Sequence, residues 1–185
     1  MPEIAARQGG ALIGVVMGLI DKLFGAPRPS PTAPLYAAII ANGRQPHWYL
    51  DGAVPDTIDG RFDMIAAILA LVLLRLEDDP SSAGRVAQLT EQFIDDMDGQ
   101  LRESGIGDVG IGKNVGQMMS MLGGRLGAYR EALASDDLAP ALRRNLYRGN
   151  DPGEDAVAHV SAQLLGLRER LAGQESAAIL AGQIG

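Results

Sequence analysis

An eleven-residue run without a polar side chain, Met64–Leu74, constrains this chain more than any other stretch. At about 1.5 Å per residue it reaches about 16 Å as a helix, roughly half of a bilayer core of about 30 Å. A helix that is apolar on every side yet too short to span a membrane has to be wrapped by other helices. Arg61 and Asp63 precede the run and Arg75 follows it, so the pattern predicts a central core helix over Arg61–Leu76. Asp56, Thr57 and Asp59 offer side-chain oxygens to cap its first turn.

The rest of the chain supplies the wrapping. Leu35–Ala41 reads as a short helix ended by Asn42-Gly43 and Pro46, and His47–Pro55 reads as irregular. Asp78–Ser82 turns the chain into a helix running to about Ser104. Val86, Leu89, Phe93, Ile94, Met97 and Leu101 form its apolar stripe, and Gly105 ends it. Beyond a glycine-rich turn, Val115, Met118, Met119, Leu122, Leu126, Tyr129 and Leu133 make a second stripe. Asp136 and Asp137 open a short helix whose end carries Arg143, Arg144 and Arg148, with Gly149 beyond, acid first and base last as the helix dipole favours. Pro152 opens a final helix over Glu154–Ala172, and the small residues after it read as a trailing tail. With no strand-like alternation anywhere, the expectation is an all-α, single compact helical bundle of about six to seven helices.

Ahead of that bundle, residues 1–26 read as an apolar arm and residues 27–34 as a Pro-rich linker, leaving 35–185 as the helical domain. The uncharged run Gly9–Ile20 is too short to cross a bilayer, and neither its flanks nor the following Ala26-Pro27 suit a secretory signal. Gly10, Gly14 and Gly18 fall on one face of a helix, which suits a close partner or a membrane surface. Leu19 and Phe24 extend that candidate membrane contact, and the bland alternative is a loosely ordered arm.

Little in the chain points to catalysis. The formal net charge of −7 argues against neutralising many phosphates, and the absence of cysteine removes thiol chemistry and thiolate metal sites. Gly107–Lys113 fits GxxxxGK, but a helix precedes it, and Asn114 stands where a magnesium-holding hydroxyl belongs. It reads as an interhelical turn with Lys113 exposed. Asp95, Asp96 and Asp98, near Glu91 and Glu103, lack the Glu-x-x-His pairs of di-iron bundles and read as a solvated face, with Asp98 paired to Arg102. The two histidines, His47 and His159, have no triad setting, and His159 reads as a surface partner of Asp155 four residues earlier. Met118, Met119 and Met121, with Met97 on the preceding helix, are either core filling or an adaptable surface for apolar helices, and Met121 lies off the stripe.

Four segments in order carry a more specific signal: Val54–Asp63, Asp96–Asp108, Gly124–Tyr129 and Leu142–Arg148. Together they resemble the ubiquinol–cytochrome c chaperone family, over about Leu35–Leu180, although Ser104 stands where the family has Met. The resemblance implies an all-helical assembly factor for the cytochrome bc1 complex. Such a factor acts on newly made cytochrome b, with or without a small second assembly factor, and uses no catalysis, cofactor or metal. Mitochondrial members of the family carry targeting extensions, and with no Arg- and Ser-rich transit segment here the expectation is a bacterial protein, cytoplasmic and peripheral on the inner face of the inner membrane. On this reading two polar sets at helix ends are the candidate partner-binding residues. Asp56, Asp59, Arg61 and Asp63 form the first; Asp98, Arg102, Glu103, Asp108 and Lys113 form the second, with Arg125 and Tyr129 opposite. The other use of such residues is as caps and internal ion pairs. The alternative function is a membrane-surface adaptor or lipid-binding helical protein anchored by residues 9–24. Neither reading takes nucleic acid or a small-molecule substrate.

Overall fold

The central helix starts where the Thr57 hydroxyl accepts a hydrogen bond from the Gly60 amide at 3.1 Å. This cap satisfies one of the amides that a first turn leaves without a partner. In the computed structural model, which describes residues 30–103 and 111–185 and their side chains except those of 98, 100–103, 111–115 and 117, this helix is one of eight α-helices among the described residues. They are α1 (Ala33–Gly43), α2 (Pro46–Leu50), α3 (Ile58–Glu77), α4 (Ala83–Glu103), α5 (Ile111–Ala134), α6 (Ala139–Asn145), α7 (Glu154–Ala172) and α8 (Ser176–Leu180). Two of these, α2 and α8, have five residues each, which leaves six longer helices and bears out the all-α bundle.

Every residue from Met64 to Leu73 is buried. Helices α1, α4, α5 and α7 all pack against α3, as a helix without a polar face requires. Their contact stripes are the amphipathic ones: Leu89, Phe93, Ile94 and Met97 on α4, Met118, Leu122, Tyr129 and Leu133 on α5, and Val157, Val160, Leu164, Leu167 and Leu171 on α7. Met119 departs from its expected place in the α5 stripe: it is 48% exposed, because it lies one residue round the helix from Met118 and faces away from α3.

Four local readings change. The chain enters α1 two residues earlier than expected, with Pro34 in the first turn, where its missing N–H costs nothing. Residues Pro46–Leu50 form α2 rather than irregular chain, because Pro46 suits a first turn and Trp48 is buried, donating from Nε1 to the Asn42 carbonyl at 2.7 Å. The C-terminal residues do not trail off: Ile179 and Ile184 are both buried, and α8 lies against α1. Finally, α6 ends at Asn145, so Arg148 lies beyond its last turn, in left-handed backbone at φ 53°. Asp137 serves as expected near the start of α6, accepting from the Ala139 amide at 3.1 Å.

The histidines also meet. His47 Nδ1 lies 3.1 Å from His159 Nε2, joining α2 to α7, and no hydrogen bond or ion pair links His159 to Asp155 among the described residues. Val160, the next residue of α7, approaches the chain just after α2, where a Cβ on Gly52 would sit 2.6 Å from its Cγ2. The Tyr147 hydroxyl donates to the Gly52 carbonyl at 2.7 Å, so the approach is fixed from both sides. Burial pushes that hydroxyl up to about 12. Gly10, Gly14, Gly18, Leu19 and Phe24 lie outside the described residues, as do Gly105 and Asp108.

Candidate functional site

The buried face of α3 is apolar except at one point. Asp63, one turn inside the helix and 1% exposed, is set among the core residues rather than marking the end of the run. A carboxylate there is costly unless it is paired, and two arginines pair it. From α5, Arg125 donates through a terminal guanidinium nitrogen to Asp63 Oδ1. From beyond α6, Arg148 donates from Nε to Asp63 Oδ2 at 2.6 Å and from a second nitrogen to Oδ1 at 3.3 Å. The third nitrogen of Arg148 reaches Asp59 Oδ2 at 2.7 Å. Burial pushes the Asp63 carboxyl up, against the pull of both guanidiniums.

Phe62 and Tyr129 complete the surroundings. The Arg125 guanidinium lies 5.2 Å from the centre of the Phe62 ring, a cation–π distance, and Phe62 stacks on Phe93 of α4 with ring centres 5.6 Å apart. The Tyr129 hydroxyl is fully enclosed, and burial pushes it up. Among the described residues neither this hydroxyl nor Arg125 Nε makes a hydrogen bond.

Of the first sequence-predicted set, Asp59 and Asp63 therefore come together on Arg148, while Asp56 and Arg61 form a separate exposed pair at 2.6 Å. Arg125 and Tyr129 join the Asp63 cluster from inside, away from solvent. The side chains of Asp98, Arg102, Glu103, Asp108 and Lys113 lie outside the described residues, as does the expected Asp98–Arg102 pair. Asp96 accepts from the Tyr36 hydroxyl at 2.7 Å, which ties the acidic stretch of α4 to α1.

Sequence reasoning missed Arg148 as a member of this cluster, having read it as a helix-end charge. An aspartate placed one position before an unbroken apolar run was the available signal, since such a residue needs a buried cation from elsewhere. It also missed the surface beside the cluster. Between α5 and α6 lies an open cleft of about 490 Å³, lined by Met121, Gly124, Arg125, Gly127, Arg144 and Arg148 among others. The methionines divide accordingly: Met97 and Met118 fill the core, while Met119 and Met121 are about half exposed.

An all-α body around an enclosed apolar helix, with a cluster of two aspartates and two arginines pinning its N-terminal end to two later segments, is the class of protein that these features define. The chain belongs to the ubiquinol-cytochrome C chaperone family, whose pattern it matches over residues 50–184. Its fold is similar to the crystal structure of the Cbp3 homolog from Brucella abortus, with a TM-score of 0.75 and 30% sequence identity, covering 95% of this chain and 94% of that one. No curated protein matches the chain. Among the described residues, no helix is long and apolar enough to cross a membrane.

Proposed function

We propose that this protein is an assembly chaperone for ubiquinol–cytochrome c reductase that holds newly made cytochrome b and carries out no reaction of its own. The observation that carries this reading is membership of the chaperone family over residues 50–184. Its geometry suits holding rather than chemistry: the buried carboxylate is tied up by two guanidiniums, and the surface beside it is open and lined with methionine and glycine. Asp56, Asp59 and Arg61 offer exposed polar contacts at the start of α3, and Asp63, Arg125 and Tyr129 hold that region in place from within. Work at the cytoplasmic face of the inner membrane fits a client of this kind, and the uncharged run Gly9–Ile20 supplies a means of resting there. A small second assembly factor is compatible with the same role.

The test is affinity purification of the tagged full chain from cells making cytochrome b, read by mass spectrometry. Enrichment of cytochrome b, and loss of assembled reductase when the chain is deleted, are the expected results. A folded, expressed protein that brings down no cytochrome b would overturn the reading. The membrane-surface alternative rests on residues 9–24 alone. It requires that removing residues 1–26 abolish binding to liposomes, and unchanged binding removes it.

A further inference from the structure

Helix α5 carries glycines that its own fold does not use. Gly116, Gly123, Gly124 and Gly127 lie within its 24 residues, and a Cβ added at any of them would meet nothing within 4 Å. Glycine inside a helix is unfavourable relative to alanine, and here no tight packing offsets it. With Ser120, four of these five small residues recur at spacings of four, three and four, so they share one side of the helix, turned away from the α3 contact. Met119 and Met121 fall on opposite flanks of that stripe, at 48% and 47% exposure. A smooth strip between two long, pliable side chains lets a second helix approach closely, and methionine adapts to varied apolar shapes.

The strip opens on the Met121 side into the cleft of about 490 Å³ against α6. Four charged residues line this cleft, and three of them are cations: Arg125, Arg144 and Arg148, against Glu131. Two of them are already paired: the enclosed Asp63 holds Arg125 and Arg148, and the exposed Asp59 takes the remaining nitrogen of Arg148. Arg144 makes no hydrogen bond or ion pair among the described residues. Arg125 also lines the cleft, but it is 8% exposed and held by Asp63, with its Nε buried. An apolar approach beside one exposed arginine without a partner among the described residues, Arg144, calls for an apolar helix that carries a carboxylate.

We propose that the α5 face from Gly116 to Gly127, with the adjoining α5–α6 cleft, seats an apolar helix of the client, whose acidic side chain is received by Arg144. The inference rests on the chaperone reading and names the surface and the client chemistry that it requires. The glycines keep the helix axes close, the methionines take up the client's irregular side chains, and Arg144 selects for an acid at one end.

Photo-crosslinking in cells that make cytochrome b tests this, with the photoreactive residue at position 121 and, as a control, at Gln163 on the exposed side of α7. The expected result is a crosslink from 121 to an apolar segment of cytochrome b that contains Asp or Glu, and none from 163. Gly127→Leu and Gly123→Leu should each lower the yield at least tenfold while raising the melting temperature, a pair of opposite signs that damage to the fold does not produce. Arg144→Glu should lower it similarly, and Arg144→Lys should retain most of it. Crosslinks to cytochrome b from 163 but not from 121 would place the client elsewhere and overturn this surface, leaving the chaperone reading intact. A crosslink from 121 to lipid or to a second copy of this chain would overturn the occupant. Full yield in Arg144→Glu would remove the carboxylate from the proposal. No cytochrome b from either position or in the affinity purification would sink the chaperone reading itself.

Discussion

Arg148 reaches Asp63 from 85 residues further along the chain, through left-handed backbone past the end of α6, and meets the carboxylate at 2.6 Å. With Arg125 on the other side, the N-terminal end of α3 is fastened to both α5 and the segment after α6.

Removing the carboxylate should leave Arg125 buried without its counter-charge. Asp63→Ala is expected to cost about 3–5 kcal/mol in urea unfolding, in the range found when one partner of a buried pair is deleted. Asp63→Leu combined with Arg125→Met should recover most of that loss, because Arg148 keeps Asp59 and solvent. If the double variant is no better than Asp63→Ala, the cluster contributes more than charge compensation.

Glycines on the two sides of the molecule should respond in opposite directions. A Cβ on Gly43 would lie 2.9 Å from Ile65 Cγ1 and 3.2 Å from Ile65 Cα, so Gly43→Ala should destabilise by about 1–3 kcal/mol through overpacking. At Gly124 the space is open, and Gly124→Ala should stabilise by up to about 1 kcal/mol. Thermal melts of the two variants decide the matter.

The contact between His47 and His159 should weaken in acid. Burial and the neighbouring ring of His159 hold His47 below its ordinary value of 6.5, while Asp51 opposes them weakly. The neutral ring is therefore favoured in the folded state. The stabilisation is complete above 6.5 and is lost as the pH falls through the lowered folded value. Imidazole titration by NMR should show His47 below 6.5, and His159→Gln should bring it closer to 6.5. A wild-type value at or above 6.5 contradicts the contact as described.

Asp79 should matter in a lower window. Hydrogen bonds from the Ser81 hydroxyl, Ser176 and the Ser81 amide hold its carboxyl at about 2 against an ordinary 3.8. A depressed carboxyl stabilises the folded state above 3.8 and loses that contribution as the pH drops towards 2. Carboxyl titration by NMR checks the value. In Asp79→Asn the acid sensitivity in this interval should shrink, and no change there would assign it to other groups.

The core was legible in the sequence because burial follows helical period. The Met64–Leu74 run and the stripes on α4 and α7 depend only on spacing along one helix. Met119 was misread because a residue beside a stripe matches the count nearly as well as one within it, and a third helix decides which is covered. The short helix around Trp48 depends on a side-chain bond to Asn42, which no periodicity encodes. The meeting of Asp63, Arg125 and Arg148 joins three distant segments, and spacing along one chain carries no such information. The cleft between α5 and α6 is legible even less, since its shape comes from glycines that the fold leaves bare.

The position of α3 has a consequence for how the protein is made. Synthesis proceeds from the N-terminus, so the Met64–Leu74 segment leaves the ribosome well before α5 and α7, two of the helices that cover it. For the time taken to add the residues up to Ala172, its apolar sides lack part of their cover. A nascent chain in that condition is open to aggregation and has to be screened until its own C-terminal half arrives.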